Sequence, residues 1–200
     1  LLTTWAYWRA WQGRRPAWWV VFGVLAGISM YVQQLAALYL LALGLLPVLY
    51  RDGHRLARTA GGAGVALTVY LPWMINLPEQ MGKLRQYWVD RPNVLHLWLA
   101  LRSFVSVNLD FSPAWWLPTF LLAAVLVVLL LYRARWAWRA LPPGSRERTA
   151  LGWTLWLALA PMLVMWVASY VLQPVFLPRA LLPSALIFYV GTGWLFTRGG

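Results

Sequence analysis

The chain has 200 residues, of which 62% are hydrophobic and 11% charged, and its mean hydropathy is +0.61. Soluble domains run at about 45–50% apolar and about 25% charged residues, and a domain of this size cannot hide so much apolar surface from water. A soluble enzyme domain, a disordered chain and a nucleic-acid module are therefore excluded, which leaves an integral membrane protein. The net charge of +12 falls between long apolar runs, a pattern that belongs to membrane topology rather than to a nucleic-acid face. Cysteine is absent, so a disulfide framework, a thiolate metal site and a cysteine nucleophile are ruled out.

The first residues, LLTTWAYWRAWQGRRP, place an apolar stretch before Arg9, Arg14 and Arg15. A signal peptide has the opposite order. The expectation is the tail of a transmembrane helix meeting a basic loop, in the C-terminal part of a longer chain. Five stretches then carry no Asp, Glu, Lys or Arg: 16–50, 59–78, 111–132, 149–178 and 180–197. A crossing takes roughly 20 apolar residues, so 16–50 is too long for one. The polar interruption SMYVQQ at 29–34 splits it into short helices at 17–28 and 35–50, giving six expected spans: 17–28, 35–50, 59–76, 113–132, 150–172 and 180–197.

Charge tests the split. With two crossings in 16–50, Arg9, Arg14, Arg15, Arg51, Arg55, Arg58, Arg133, Arg135, Arg139, Arg146, Arg148 and Arg198 share one side, against Lys83, Arg85, Arg91, Arg102 and Arg179 on the other. That is 12 against 5, a positive-inside bias; a single crossing gives 8 against 9 and no bias. The inner loops are then centred on His54 (51–58) and on 133–148, and the outer segments are 76–113 and 173–179. Tryptophan fits the same frame. Trp5, Trp8, Trp11, Trp18, Trp19, Trp136 and Trp138 fall at the inner boundary and Trp73, Trp115 and Trp116 at the outer one, where indoles favour headgroup depth. Trp166 reads as core filling.

Within the spans, Gly23 and Gly27 form a G-x-x-x-G pair and Gly61, Gly62 and Gly64 a glycine-rich patch. Both read as close helix packing, the patch lacking the lysine and strand of a phosphate loop. In the outer segment, Val94, Leu97, Trp98, Leu101, Phe104 and Val105 have helical 3/4 spacing. Asn93, after Pro92, can cap that helix, which is expected to lie on the outer leaflet. A weaker amphipathic helix carries Met81, Leu84 and Trp88. His54 and His96 lie on opposite sides, and no ligand cluster has metal spacing. The acids are Asp52, Glu79, Asp90, Asp110 and Glu147, none within a span. Glu79, Asp90 and Asp110 are outer candidates for a base, or else solvated partners of nearby cations. Arg179 stands alone between two apolar runs, flanked by Pro174, Pro178 and Pro183. The prolines are expected to keep the backbone non-helical until the last span begins. Arg179 suits a phosphate or pyrophosphate at the outer headgroup layer, or else anchors the helix end in lipid.

Three stretches together resemble the C-terminal part of the membrane-embedded, C-type glycosyltransferases, in the bacterial branch related to protein O-mannosyltransferases and lipid A aminoarabinose transferases. They are WWVVFGVLAGISMYVQQLAALYLLALGLLPVL, YLPWMINLPEQMGKLRQYWVDRPNVLHLWLALRSF and SYVLQPVFLPRALLPSAL. The sequence departs from the family at Tyr31–Gln34, where relatives often carry a His/Tyr pair, and at Ala180, where relatives usually carry Tyr. The resemblance implies an all-α, multi-pass transmembrane bundle with interfacial helices on its outer face, in the bacterial inner membrane. It implies transfer of a sugar from a polyprenyl-phosphate carrier to a lipid, glycan or protein acceptor, with no cofactor. The family's catalytic acid lies in a first outer loop upstream of these residues, so the 200-residue piece alone is expected to be inactive. Arg179 is expected to meet the carrier phosphate, with Lys83, Arg85, Tyr87 and Trp88 lining the outer cavity. The competing classes are a non-catalytic membrane subunit or transporter, and an O-antigen ligase or polymerase-like protein. No mid-membrane ionisable pair or inverted repeat speaks for transport.

Overall fold

A computed structural model describes residues 1–13, 15–76, 79, 91–105, 116–171 and 174–197, with the backbone alone at 105, 116, 178 and 179. Every regular element among the described residues is helical. The chain divides into two compact units, Leu1–Asp90 with Leu172–Val175, and Arg91–Val171 with Phe176–Gly200.

The first unit holds α1 (Leu2–Gln12), α2 (Ala17–Val32), α3 (Ala36–Gly44), α4 (Leu46–Leu49) and α5 (Gly53–Met74). Side-chain contacts fix their directions. Thr3 Oγ1 lies 2.9 Å from Ser29 Oγ, and the rings of Trp5 and Trp18 meet at 5.2 Å, so α1 and α2 are antiparallel. Thr4 Oγ1 is 2.9 Å from the Tyr39 hydroxyl, while Trp11 meets Tyr50 at 5.5 Å. The α3–α4 leg therefore runs back alongside α1. Tyr7 bonds Thr59 at 2.9 Å and the Arg55 guanidinium sits 4.3 Å from the Trp11 ring centre, so α5 turns again and runs parallel to α2. The uncharged stretch 16–50 is thus a hairpin. Its reversal lies at 33–35, because α2 continues through SMYV to Val32 before Gln33 turns extended, with φ −152° and ψ 113°.

Two tight connections shape this unit. Pro47 has no N–H for the carbonyl four residues back, and the α3 helix stops at Gly44 before α4 begins. After α4, the Asp52 N–H donates to the Pro47 carbonyl and the Arg51 N–H to the Val48 carbonyl, with Arg51 at φ 51°. This is a Schellman closure with arginine in the left-handed position that glycine usually takes. Asp52 then caps α5, its carboxylate accepting from the Arg55 N–H at 2.9 Å and pairing with Arg55 Nε at 3.3 Å. The expected inner loop 51–58 shrinks accordingly: from Gly53 onward it is the first turns of α5.

The contact of α2 with α5 depends on glycine. A Cβ on Gly23 would fall 2.5 Å from the Gly62 carbonyl oxygen, one on Gly27 2.7 Å from Val69 Cβ, and one on Gly62 2.9 Å from Phe22 Cδ1. Gly61 and Gly64, in the same patch, face open space. The core beside this seam is aromatic. Tyr7, Trp11, Trp19 and Phe22 are buried, with Tyr7 and Phe22 at 4.8 Å and Tyr7 and Trp19 at 5.4 Å. Trp11 and Trp19 therefore pack in the core of this unit. Trp5, Trp136 and Trp138 remain exposed.

The second unit holds α6 (Val94–Val105), α7 (Trp116–Ala140), α8 (Arg146–Val171), a 3-10 turn (Pro178–Leu181) and α9 (Leu182–Thr197). Gly144, at φ 77°, turns the chain from α7 into α8, and Ser145 Oγ caps α8 by accepting from the Arg148 N–H at 3.1 Å. Ala134, Ala137, Leu141, Leu151 and Leu195 form a buried cluster joining α7, α8 and α9. Gly191 lets α9 approach α8, since a Cβ there would lie 2.4 Å from Thr154 Cγ2. The α7 helix runs past the expected end at 132 and takes Arg133, Arg135 and Arg139 into its last turns, where cations complement the helix dipole. Among the described residues, two helices, Leu117–Ala140 and Arg146–Val171, are long and apolar enough to cross a membrane.

The glycine seam yields a direct test. Gly23→Ala is expected to destabilise the protein by about 1–3 kcal/mol, the usual range for overpacking. Gly61→Ala and Gly64→Ala are expected to be neutral or to stabilise by up to about 1 kcal/mol, as alanine does in a helix interior. Unfolding midpoints of the purified variants in one detergent decide it, and equal effects at Gly23 and Gly61 would contradict the seam.

Candidate functional site

The residues expected to bind substrate divide sharply. Lys83, Arg85, Tyr87 and Trp88 lie outside the described residues, as do Asp90, Asp110 and the expected helix with Met81 and Leu84. Arg179 lies in the second unit, in the 3-10 turn Pro178–Leu181 that leads into α9. Among the described residues, no three His, Cys, Asp or Glu side chains group as a metal site.

The local backbone around Arg179 is firmly seated. Phe176, Leu177, Ala180 and Leu181 are all buried, and the Ala180 N–H donates to the Leu177 carbonyl at 2.9 Å. The helical turn differs from the expected non-helical approach. Its cause is the place of Pro178: as the first residue of a helical turn, proline loses no bond and its fixed φ suits the helix. Leu177, just before it, is extended at φ −119° and ψ 117°, as a residue preceding proline prefers. Pro183 sits equally well at the start of α9. In that first turn Ser184 is fully buried, and its Oγ has no hydrogen-bond partner among the described residues. Such a group costs free energy unless something else satisfies it.

A second element of the same unit is held by α8. The Trp166 indole N–H donates to the Asn93 carbonyl at 3.3 Å, and the Tyr170 hydroxyl donates to the Pro92 carbonyl. Trp166 and Tyr170 lie one turn apart with their rings 4.8 Å from each other. Trp166 is thus a polar tie rather than core filling. Asn93 caps α6 as expected, its Oδ1 accepting from the His96 N–H at 3.2 Å while His96 Nδ1 lies 3.1 Å from the Asn93 N–H. This reciprocal arrangement fixes His96 as a capping residue.

The α6 helix is more enclosed than an interfacial helix. Trp98 meets Phe120 of α7 at 5.1 Å and Phe104 meets Phe188 of α9 at 5.8 Å. Val94, expected on the apolar face, is 71% exposed, while Ala100 and Phe104 are buried. Arg102 is buried too, at 9% exposure, and among the described residues no other charged side chain is. In the sequence Arg102 stands four residues after Trp98 and three before Val105, at the margin of the apolar stripe. Nε and one terminal nitrogen of its guanidinium are themselves enclosed, in the last turn of α6 where the dipole favours a cation.

The second unit carries, at separate positions, Arg179 on a turn with buried flanks, a buried arginine on α6 and an unsatisfied buried hydroxyl at the start of α9. Guanidinium groups and hydroxyl donors suit a phosphate or another multivalent oxyanion. No protein-family model, curated protein or solved structure matches the chain.

The ties on α6 give the second prediction. Replacing Trp166 and Tyr170 together by phenylalanine removes two hydrogen bonds but little apolar area. Amide hydrogen exchange is expected to rise over the first turn of α6, by about tenfold for a loss of roughly 1–2 kcal/mol, with α8 unchanged. Unchanged exchange in α6 would show that the two bonds do not hold it.

Proposed function

We propose that the chain is a multi-pass membrane protein of the bacterial inner membrane, and part of a glycosyltransferase that takes a sugar from a polyprenyl-phosphate carrier at the outer face. The acceptor is a lipid, a glycan or a protein. The observation that carries the proposal is the seated turn at Pro178–Leu181, which fixes the backbone of Arg179 between two apolar helices. An arginine on such a turn suits a phosphate at headgroup depth, and an intramembrane charge ordinarily has a function. Its planar fork takes two oxygens of a leaving phosphate and stabilises the negative charge released as the glycosidic bond breaks.

Membrane residence rests on exposure as well as composition. The most apolar window of Leu117–Ala140 is only 11% buried, whereas a soluble core helix is mostly buried. Leu117, Leu121, Val125 and Val128 are more than half exposed. Water makes that surface costly, at roughly 25 cal/mol per Å²; hydrocarbon does not. The hairpin of α2 with α3–α4 supports two crossings in 16–50, and with them the placement of most arginines on one side.

Two measurements test the proposal. Single cysteines replacing Asp52 and Asp90, in a chain otherwise free of cysteine, are expected to react from opposite sides with an impermeant thiol reagent; labelling of both from one side would refute the topology. In the full-length protein, assayed in membranes with matched protein levels, Arg179→Ala is expected to abolish or strongly reduce donor-dependent sugar transfer, and Arg179→Lys to restore only part, because an ammonium lacks the fork. Full activity in Arg179→Ala would leave the residue as a lipid anchor.

A further inference from the structure

The opposite end of the second unit carries a different set of features. Between α7, α8 and α9 lies an apolar cavity of about 150 Å³, bounded by Leu131, Leu155, Leu159, Thr154 and Phe188 among others. A hollow with so apolar a lining suits apolar groups. Beside it is a wider cleft of about 410 Å³ lined by Leu131, Arg135, Trp138, Arg139, Leu155 and Leu159. Leu131, Leu155 and Leu159 line both spaces, so the cleft and the cavity share a wall.

The cleft has a charged rim without an internal counterion. Arg135 and Arg139 stand four residues apart on one face of α7, where like charges repel. Both are exposed, and neither makes an ion pair, hydrogen bond or ring contact with the described residues. Trp138, between them in sequence, is held in place by Arg148, whose guanidinium lies 4.7 Å from its ring centre. Arg148 is in turn bonded to the Leu141 carbonyl at 3.4 Å. The helix dipole accounts for cations at this end of α7, but not for a cleft that joins two of them to an apolar hollow.

We propose that the cleft and the cavity form one binding site for an anionic phospholipid of the surrounding leaflet, with the phosphate between Arg135 and Arg139 and part of one acyl chain in the cavity. The chemistry is complementary at both ends. Two guanidinium groups match phosphate oxygens, and basic pockets between transmembrane helices hold acidic headgroups. The phosphate also removes the repulsion between the two arginines. The proposal rests on the membrane residence proposed above and is independent of sugar transfer.

Native mass spectrometry of the purified, delipidated protein, titrated with dioleoylphosphatidylglycerol or dioleoylphosphatidylcholine, tests it. The anionic lipid is expected to bind about tenfold or more tighter, since each arginine near an acidic headgroup contributes about fivefold. The pair Arg135→Gln with Arg139→Gln is expected to remove that preference, while Arg15→Gln with Arg146→Gln, a matched loss of two exposed charges, keeps it. Thr192→Phe, which fills the cavity from α9, is expected to weaken both lipids. Glycerol 3-phosphate, a headgroup without chains, is expected to bind at least tenfold more weakly than the lipid. Equal binding of the two lipids, or retention of the preference in the Arg135/Arg139 variant, would overturn the site. Binding of glycerol 3-phosphate as tight as the lipid would reduce it to a plain phosphate site. Incorporation into phosphatidylcholine vesicles separates the two failures: a protein that does not incorporate contradicts membrane residence, whereas one that incorporates without lipid preference contradicts this site alone.

Discussion

The chain carries more apolar surface than its own packing covers, and the rest of the structure follows from that excess. The exposed side of α7 shows it most plainly, with leucines and valines turned outward along several turns. A backbone placed in hydrocarbon must satisfy its own N–H and C=O groups, and helices do so within one segment. Among the described residues, several connections are short, fully bonded devices. The Schellman closure at Arg51, the Asp52 cap and the Ser145 cap are such devices, and each consumes backbone groups that would otherwise be unpaired.

In such a medium the hydrophobic effect does not pull helices together, because lipid is as apolar as leucine. Close packing of small residues takes its place. Small residues permit close packing in both units: Gly23, Gly27 and Gly62 bring α2 and α5 together, and Gly191 seats against Thr154. Around the first seam, polar side chains bond each other across helices: Thr3 to Ser29, Thr4 to Tyr39, Tyr7 to Thr59. Directional bonds of this kind select one register where apolar contact alone would permit sliding.

Much of the architecture is legible in the sequence because it rests on punctuation. The polar interruption SMYVQQ marks the neighbourhood of the hairpin turn, although the helix uses its first half; nothing in Ser29–Val32 forbids helix, and Gln33 is the residue that leaves it. The G-x-x-x-G spacing marks the α2 seam, and Pro-Asn marks the start of α6. What escaped has physical reasons. A left-handed residue is normally announced by glycine, and Arg51 holds that position instead, so 51–58 read as a loop. Tryptophan suits both cores and interfaces, and its position in sequence does not distinguish Trp19 from Trp5. Arg102 looked like one more outer charge, since only the surrounding helices enclose it. Of the candidate site, the proline-framed Arg179 was visible as an oddity of composition, but its helical turn was not, because Pro178 both ends one conformation and begins another. The unsatisfied Ser184 hydroxyl has no sequence signature at all.

The most direct test of membrane residence is the environment of α7 itself. Nitroxide labels on single cysteines at Leu121, Val125, Val128 and Arg139, in protein reconstituted into phospholipid vesicles, report access to oxygen and to a polar nickel chelate. A membrane-spanning α7 predicts high oxygen and low nickel access at the first three positions, and the reverse at Arg139. High nickel access at Val125, or low access to both probes at all three apolar positions, would contradict it: the first result would place the helix in water, and the second against another protein surface.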